Sequence, residues 1–359
     1  MVRSTLADVA RGAGVSVASV SRVLNGLPAS IATRDRVREV AHSLGYAPDL
    51  AARSLKIRRT EQISVVIDDL ANPAYVSMMQ GAEAVLRDAG YRIQFSSIGS
   101  DSDLGLGTAL HAVSRGYADG LIICPLRMNS ELVETLRHAP IPVVVIGGLP
   151  RGTAIDNVVT DSRLGVNLAM DHLHQLGRRR IAFIDGPLGT NPGDRRLEGY
   201  RSAVERLGLP DEDGLRRLTT EFSYAKGAAA AADLIVNSQF DALLAANDMM
   251  AIGAMHAIAR AGLRVPHRVA VVGIDDSEMC LYSSPPLTSV SLGSRHRGKI
   301  AARLLLRRLA RPDAPIKRVR EAPRLVARDS TSARDFTGAD DSTSARDSTG
   351  ARAKRRGQT

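Results

Sequence analysis

The stretch GVSVASVSRVLNG, residues 14–26, sets one arginine, Arg22, among small apolar and hydroxyl side chains. At helical spacing Val17, Ala18 and Arg22 project outward, while Val20, Val23 and Leu24 turn toward whatever packs behind them. The outward trio suits the major groove of DNA, where an arginine donates two hydrogen bonds to a guanine edge and small apolar groups meet a thymine methyl. Ser16, Ser19, Ser21 and Asn25 are of the type that touches phosphates, which fixes register without reading bases. A rival reading pairs Arg22 with Asp35 or Glu39 as a surface ion pair; its place just after a tight turn favours the guanine contact.

A second set of polar residues follows apolar runs. Asn247–Asp248 comes after LLAA and Asp275–Asp276 after VVGI, at strand ends where α/β proteins meet their ligands. An acid there can equally cap the next helix. Arg196, in RRLEGY at a helix start, carries a fork able to grip a hydroxyl or carboxylate. Phe222, in TTEFSYAKG, is either a stacking platform or a core side chain. No acid pair has a catalytic setting, and neither a G-x-S-x-G elbow nor a phosphate-cradling G-x-x-x-x-G-K-[ST] loop occurs. His172 and His174, in DHLHQLG, fall on different sides of a helix and read as structural or surface residues. The expectation is a binding protein, with no catalytic residues, metal or cofactor.

The elements that must position these groups divide the chain. Residues 5–46 read as three short helices, the first opened by Ser4 or Thr5, the second by Ser16 and the third by Ala32 or Thr33. The link ARGAGVS is too short for a sheet crossover, so the first two form a helix-turn-helix. DLAARSLK, residues 49–56, makes barely two turns and needs a partner to stay helical. From Ile63 the rhythm becomes β-α-β: ISVVIDD, YRIQFSS, DGLIICP, IPVVVIGG, RRIAFIDG, FDALLAAND and VAVVGIDD alternate with helical stretches. Repeated β-α units with apolar strands imply mostly parallel sheet covered by helices, in two units with a cleft between them. The expected domains are a headpiece over 1–47, a hinge helix and linker over 48–61, a two-lobed α/β domain over 62–329, and a tail over 330–359. In that tail STSARDFTGADD is followed by STSARDSTGARA, too polar to bury a core, so disorder is expected.

Charge separates the same regions. Residues 1–60 hold ten basic and four acidic side chains, whereas residues 61–327 hold 31 and 29. A basic module on a nearly neutral body suits a polyanion partner; general arginine bias, with 43 of 48 bases arginine, is the competing explanation. The two cysteines, Cys124 and Cys280, show no metal spacing. The start MVRSTLADVARGAG lacks an apolar export segment, and no run approaches a membrane span, so a cytoplasmic protein without disulfide or membrane contact is expected.

TLADVARGAGVSVASVSRVLNG, followed by TRDRVREVAHSLGYAPDLAARSLK, resembles the DNA-binding headpiece of the lactose/galactose repressor family of bacterial transcription regulators. The resemblance continues to about Ser330 and implies a small all-α helix-turn-helix headpiece followed by a two-lobed effector domain like the periplasmic sugar-binding proteins. By that resemblance a homodimer binds near-palindromic double-stranded operator DNA, Arg22 reads a base, and Val17 and Ala18 set operator preference. Leu55 is the minor-groove wedge, with Ala52 making the close approach and Arg53 lying along the backbone. Asp49 stands where the family usually has Asn, placing a carboxylate near phosphate. In the large domain Arg196 matches the R-x-x-G-[FY] arginine that holds the effector, Phe222 the aromatic platform, Asp275 the carboxylate that takes ligand hydroxyls, and Asn247 the Asn of N-D-x-x-A. Asp69, Tyr75 and Asp161 complete the implied lining, with NPAY replacing the more frequent NPFF-like run. These groups suit a sugar; a purine or other planar metabolite is the alternative ligand. A solute-binding or sugar-acting protein using the same cleft is the rival class, and it has no use for residues 1–60.

Overall fold

The computed structural model describes residues 4–46, 59–97 and 117–332. The hinge segment DLAARSLK, with Ala52, Arg53 and Leu55, and the polar repeat from residue 333 onward lie outside the described residues.

Three helices, α1 (Leu6–Ala13), α2 (Val17–Leu24) and α3 (Ile31–Ser43), build the headpiece. Each begins on a side-chain cap: Thr5 accepts from the Asp8 N–H, Ser16 from Ser19 and Ser30 from Thr33. The third helix thus opens at Ile31, one or two residues before the Ala32 or Thr33 expected, because the hydroxyl of Ser30 satisfies a first-turn N–H. Thr5 and Asp8 exchange bonds as a capping box. Val9, Ala13, Val20, Val23 and Val37 form the small core, with Leu24 packed against it.

The remainder is two six-stranded sheets. The strands are β1 (Gln62–Ile67), β2 (Arg92–Ser97), β3 (Gly120–Cys124), β4 (Val143–Ile146), β5 (Asp156–Thr160), β6 (Ile181–Asp185), β7 (Arg216–Leu218), β8 (Ala242–Ala245), β9 (Ala270–Ile274), β10 (Thr288–Ser291), β11 (Arg318–Glu321) and β12 (Arg324–Val326). The first sheet runs β11-β5-β4-β3-β1-β2, entirely parallel; the second runs β12-β10-β9-β8-β6-β7, with β12 alone antiparallel. Continuous apolar strands such as β3 and β9 are buried throughout, as parallel strands covered on both faces must be.

The covering helices are α4 (Pro73–Asp88), α5 (Ser130–Arg137), α6 (Ser162–Gln175), α7 (Asn191–Leu207), α8 (Tyr224–Asn237), α9 (Asp248–Arg260), α10 (Met279–Tyr282) and α11 (Ser294–Ala310). The strand order shows where the chain changes lobes. It leaves the first sheet after β5, returns after β10 through α11, and leaves again between β11 and β12. Helix α11 packs on α4, where Gly81 and Gly298 each meet a backbone carbonyl of the other helix and a Cβ at either would collide with it. Buried Asp156 anchors this return, accepting from Arg308 Nε at 2.9 Å and the Lys317 N–H at 2.6 Å.

Two boundaries shift from those expected. Thr60 and Glu61 belong to the first lobe, since both donate backbone N–H bonds to the Asp119 carboxylate. Ser330 and Thr331, placed in the tail, are buried in the second lobe: Ser330 Oγ accepts from the Thr288 N–H and donates to the Val271 carbonyl, and His172 Nε2 lies 2.9 Å from Thr331 Oγ1. Two small hydroxyls fill the hydrogen-bonding gaps beside β9 and β10, so their polarity does not exclude burial.

Candidate DNA-reading face and effector cleft

On α2 the hydrogen-bonding cap at Ser16 fixes which residues turn outward. Val17 is 46 % exposed, and Ala18 and Arg22 are exposed beside it. Among the described residues Arg22 makes no ion pair with Asp35 or Glu39, so the surface-pair alternative is not realised. The neighbouring polar groups are already held locally: Ser16 Oγ and Ser19 Oγ lie 2.9 Å apart, and Asn25 Nδ2 donates to the Ser21 carbonyl at 2.7 Å. These locally bonded polar groups flank a guanidinium that has no hydrogen-bond or ion-pair partner among the described residues.

Between the two sheets lies a cavity of about 410 Å³, within the range of small-ligand sites. Its walls come from the carboxyl ends of the strands of both lobes. Tyr75 enters from α4, Cys124 from the end of β3, and Asp161 from the turn after β5; Arg196 comes from α7, Phe222 from the loop after β7, Asn247 from the end of β8, and Asp275 from the end of β9. The lobes touch across it, where the Asn191 N–H at the start of α7 donates to the Leu126 carbonyl at 2.8 Å.

Six of the seven expected effector contacts line this cavity; Asp69 does not. Asp69 is exposed and its Oδ1 accepts the Ala71 N–H at 2.8 Å, closing the turn before α4. Its neighbour Asp68 is half-buried, and burial together with the Asp69 charge pushes its carboxyl up to about 6.

The floor holds Arg196, buried to 5 % exposure, with its guanidinium 3.5 Å from Asp275 Oδ1 and 5.6 Å above the centre of the Phe222 ring. Phe222 reaches this place because Gly186, at the end of β6, has no side chain; a Cβ there would strike the ring. Asp275 sits at φ 112°, a conformation rare for a side-chain-bearing residue, which turns its carboxylate into the cavity wall. Burial pushes its carboxyl above the ordinary range, opposed by Arg196 and Arg297. Asn247 caps α9, accepting the Met250 N–H at 2.9 Å, so ligand lining and helix capping coexist in one side chain; its Nδ2 has no protein partner. Asp161 likewise caps α6 through Leu164 and pairs with Arg320 at 3.2 Å.

The neighbouring acids are structural. Asp248 accepts the Ser277 N–H and Ser289 Oγ, while Asp276 pairs with Arg328 at 2.6 Å. Burial pushes the Cys124 thiol up to about 12, so it remains a neutral wall. Sequence reasoning missed Arg297, on α11, and Asn191. Arginine inside a helix that otherwise reads as basic surface leaves no local mark of burial. Among the described residues no cluster of His, Cys, Asp and Glu could hold a metal ion, and no helix is long and apolar enough to cross a membrane.

Comparison with known proteins agrees with this division. Residues 5–49 match the family described as bacterial regulatory proteins, lacI family, and residues 170–331 match the periplasmic binding protein-like domain. The ribose operon repressor of Escherichia coli K12 is 33 % identical over 330 residues, spanning 91 % of this chain and 99 % of the relative. A transcriptional regulator CelR–cellobiose complex is 32 % identical with a TM-score of 0.68, covering 91 % of this chain and 100 % of its own. The lac repressor dimer bound to operator and the anti-inducer ONPF is 28 % identical with a TM-score of 0.80, covering 92 % of this chain and 100 % of its own.

Proposed function

The chain belongs to the lacI family of bacterial regulatory proteins, and from that premise we propose that it is a sugar-responsive repressor whose homodimer controls sugar uptake or catabolic genes. As a member it is a ligand-responsive, DNA-binding transcription regulator and not an enzyme. The observation that carries the sugar reading is the cleft floor: a carboxylate, a buried guanidinium and a buried, unpartnered amide lie around an aromatic face. Hydroxyls meet the polar groups and the apolar face of a sugar ring lies on Phe222. The names of the similar ribose repressor and the cellobiose-bound regulator support that class.

In this reading Arg22 donates to a guanine, Val17 and Ala18 set the neighbouring base preference, and Ser16, Ser19, Ser21 and Asn25 meet phosphates of a near-palindromic operator. Ala52, Arg53 and Leu55 act in the minor groove, where a leucine wedge kinks the duplex at a cost of about a few kcal/mol that added contact offsets. Tyr75, Asp161, Arg196, Phe222, Asn247 and Asp275 hold the effector. The exposed apolar patch of Met279, Leu281 and Tyr282 offers area for a second copy. Because three strands of chain connect the lobes, the effector changes their relative angle as rigid bodies and so the spacing of the paired hinges. A coupling of about 1–3 kcal/mol, typical of such switches, changes operator occupancy enough to regulate a promoter.

The test is selection of genomic fragments by the purified protein at a stated salt concentration, followed by sequencing. Enriched palindromes beside sugar-transport or catabolic genes are the expected result. Enrichment beside purine genes would replace the sugar with a base, and no enrichment with or without candidate effectors would overturn the headpiece assignment.

A further inference from the structure

The charges of the cleft are unbalanced. Five arginines line it, Arg163, Arg195, Arg196, Arg297 and Arg320, against two carboxylates, Asp161 and Asp275. The exposed three are answered at the rim, Arg163 and Arg195 by Glu198 and Arg320 by Asp161. The buried pair is not. Arg196 and Arg297 share Asp275, which approaches Arg196 only to 3.5 Å. Arg297, at 8 % exposure, makes one hydrogen bond, from Nη2 to Ser294 Oγ at 3.2 Å, and among the described residues pairs with no carboxylate. The Nε atoms of both arginines are buried without a protein partner. Asp68, the other acid nearby, does not line the cavity, and burial with the Asp69 charge pushes its carboxyl up to about 6, against the pull of Arg127.

A buried guanidinium lacking a matched anion is costly, because desolvation is not repaid by an ion pair. Such a group is retained economically where a ligand supplies the charge, and arginine's planar fork is shaped for carboxylate or phosphate oxygens. Arg297 is placed on the helix that returns from the second lobe to the first, so an anion held there engages the element joining both lobes.

We propose that the effector is an anionic sugar, bearing a phosphate or a carboxylate that Arg297 binds with Arg196 as the second fork, while Phe222 and Asp275 hold its ring and hydroxyls. This rests on the reading of the cleft as a sugar-effector site. The charged group completes the pairing that the protein alone leaves open and draws α11 toward the second-lobe wall carrying Arg196.

The experiment is calorimetric titration of the full-length protein with neutral pentoses, hexoses and disaccharides, each beside its phosphorylated and its oxidised, carboxylate counterpart. Release of operator, obtained by the fragment selection above, is followed in parallel by fluorescence anisotropy. At least one charged ligand should bind roughly ten- to a hundred-fold more tightly than its neutral parent, the range for hydrogen bonds to charged groups. Phosphate and carboxylate arms then name the anion. Arg297→Met should erase that advantage, so that charged ligand and neutral parent bind alike, and Arg297→Lys should keep part of it; unchanged operator binding and circular dichroism would establish that both variants fold. Equal or tighter binding of the neutral parents, or full preference retained by Arg297→Met, overturns the anionic effector and leaves the sugar reading standing. No binding by any carbohydrate, charged or neutral, overturns both.

Discussion

The headpiece and the cleft solve recognition in opposite ways. In the headpiece one exposed arginine stands on a helix whose neighbours lie within a few residues of it, and Arg22 is left free by a rim of serines bonded to one another. On the cleft floor Arg196 and Arg297 are buried, and the groups around them come from strand ends far apart in sequence. The difference follows from the partner. DNA brings its charge to a surface, so water covers the waiting side chain at little cost; a small ligand must be enclosed, so its site holds polar groups out of water before the ligand arrives.

That contrast can be broken at either end. The largest effect is expected at the cleft floor, where Asp275→Asn preserves shape and tolerates the positive φ but removes an acceptor charge. Effector binding should weaken by about 1.5–3 kcal/mol, the range for hydrogen bonds to charged groups, with operator affinity unchanged; an unaltered effector titration would remove Asp275 from the site. Arg22→Ala is its counterpart in the headpiece and should cost about 1–3 kcal/mol on the selected operator while sparing random duplex. Equal losses on both duplexes would make Arg22 a phosphate contact.

Gly186→Ala tests whether burial itself positions the platform. The new methyl displaces Phe222, an overpacking strain of about 1–3 kcal/mol of which part falls on ligand binding, so effector affinity should fall while the operator complex is retained. Thermal unfolding that drops without any change in affinity would show that Phe222 only packs. Ser16→Ala should destabilise the headpiece by about 1 kcal/mol through loss of the cap on the Ser19 N–H, read from its melting and followed by weaker binding to specific and random DNA alike. A headpiece of unchanged stability would mean that the Ser16 hydroxyl contributes no net capping.

The smallest effect is on pH dependence. Burial pushes the Asp185 carboxyl up to about 7, and its Oδ2 has no protein partner. The folded state therefore keeps a proton that the unfolded chain releases, so this stability is fully present at low pH and is lost as pH rises from about 4 to about 7. Burial raises Asp248 as well, adding to the same slope. Asp185→Asn should flatten the decline in melting temperature over that window, and a slope equal to that of the parent protein would assign the pH dependence to other groups.

Much of this contrast was legible before the structure. Capping hydroxyls and helical spacing placed Ser16, Val20, Val23 and Arg22 correctly because the bonds involved span three or four residues. Polar residues closing apolar strands marked Asn247 and Asp275, since parallel strands expose their carboxyl ends to ligands. That Asp69 stays out of the cavity was not legible, because its bond from the Ala71 N–H forms only where the turn before α4 closes. Nor was Arg297: the basic helix α11 gains its buried face from α4, which lies more than two hundred residues earlier.

By itself the sequence determined the headpiece, the β-α rhythm and the strand-end chemistry, all of which depend on local periodicity, capping and turn length. Only tertiary structure decided the lobe changes after β5, β10 and β11, the burial of Ser330 and Thr331, and the meeting of Arg297 with Asp275 and Arg196. Those outcomes depend on which strands pair and which helices cover them, and the free energy of burying a charge belongs to the surroundings that enclose it, not to the residues beside it in the chain.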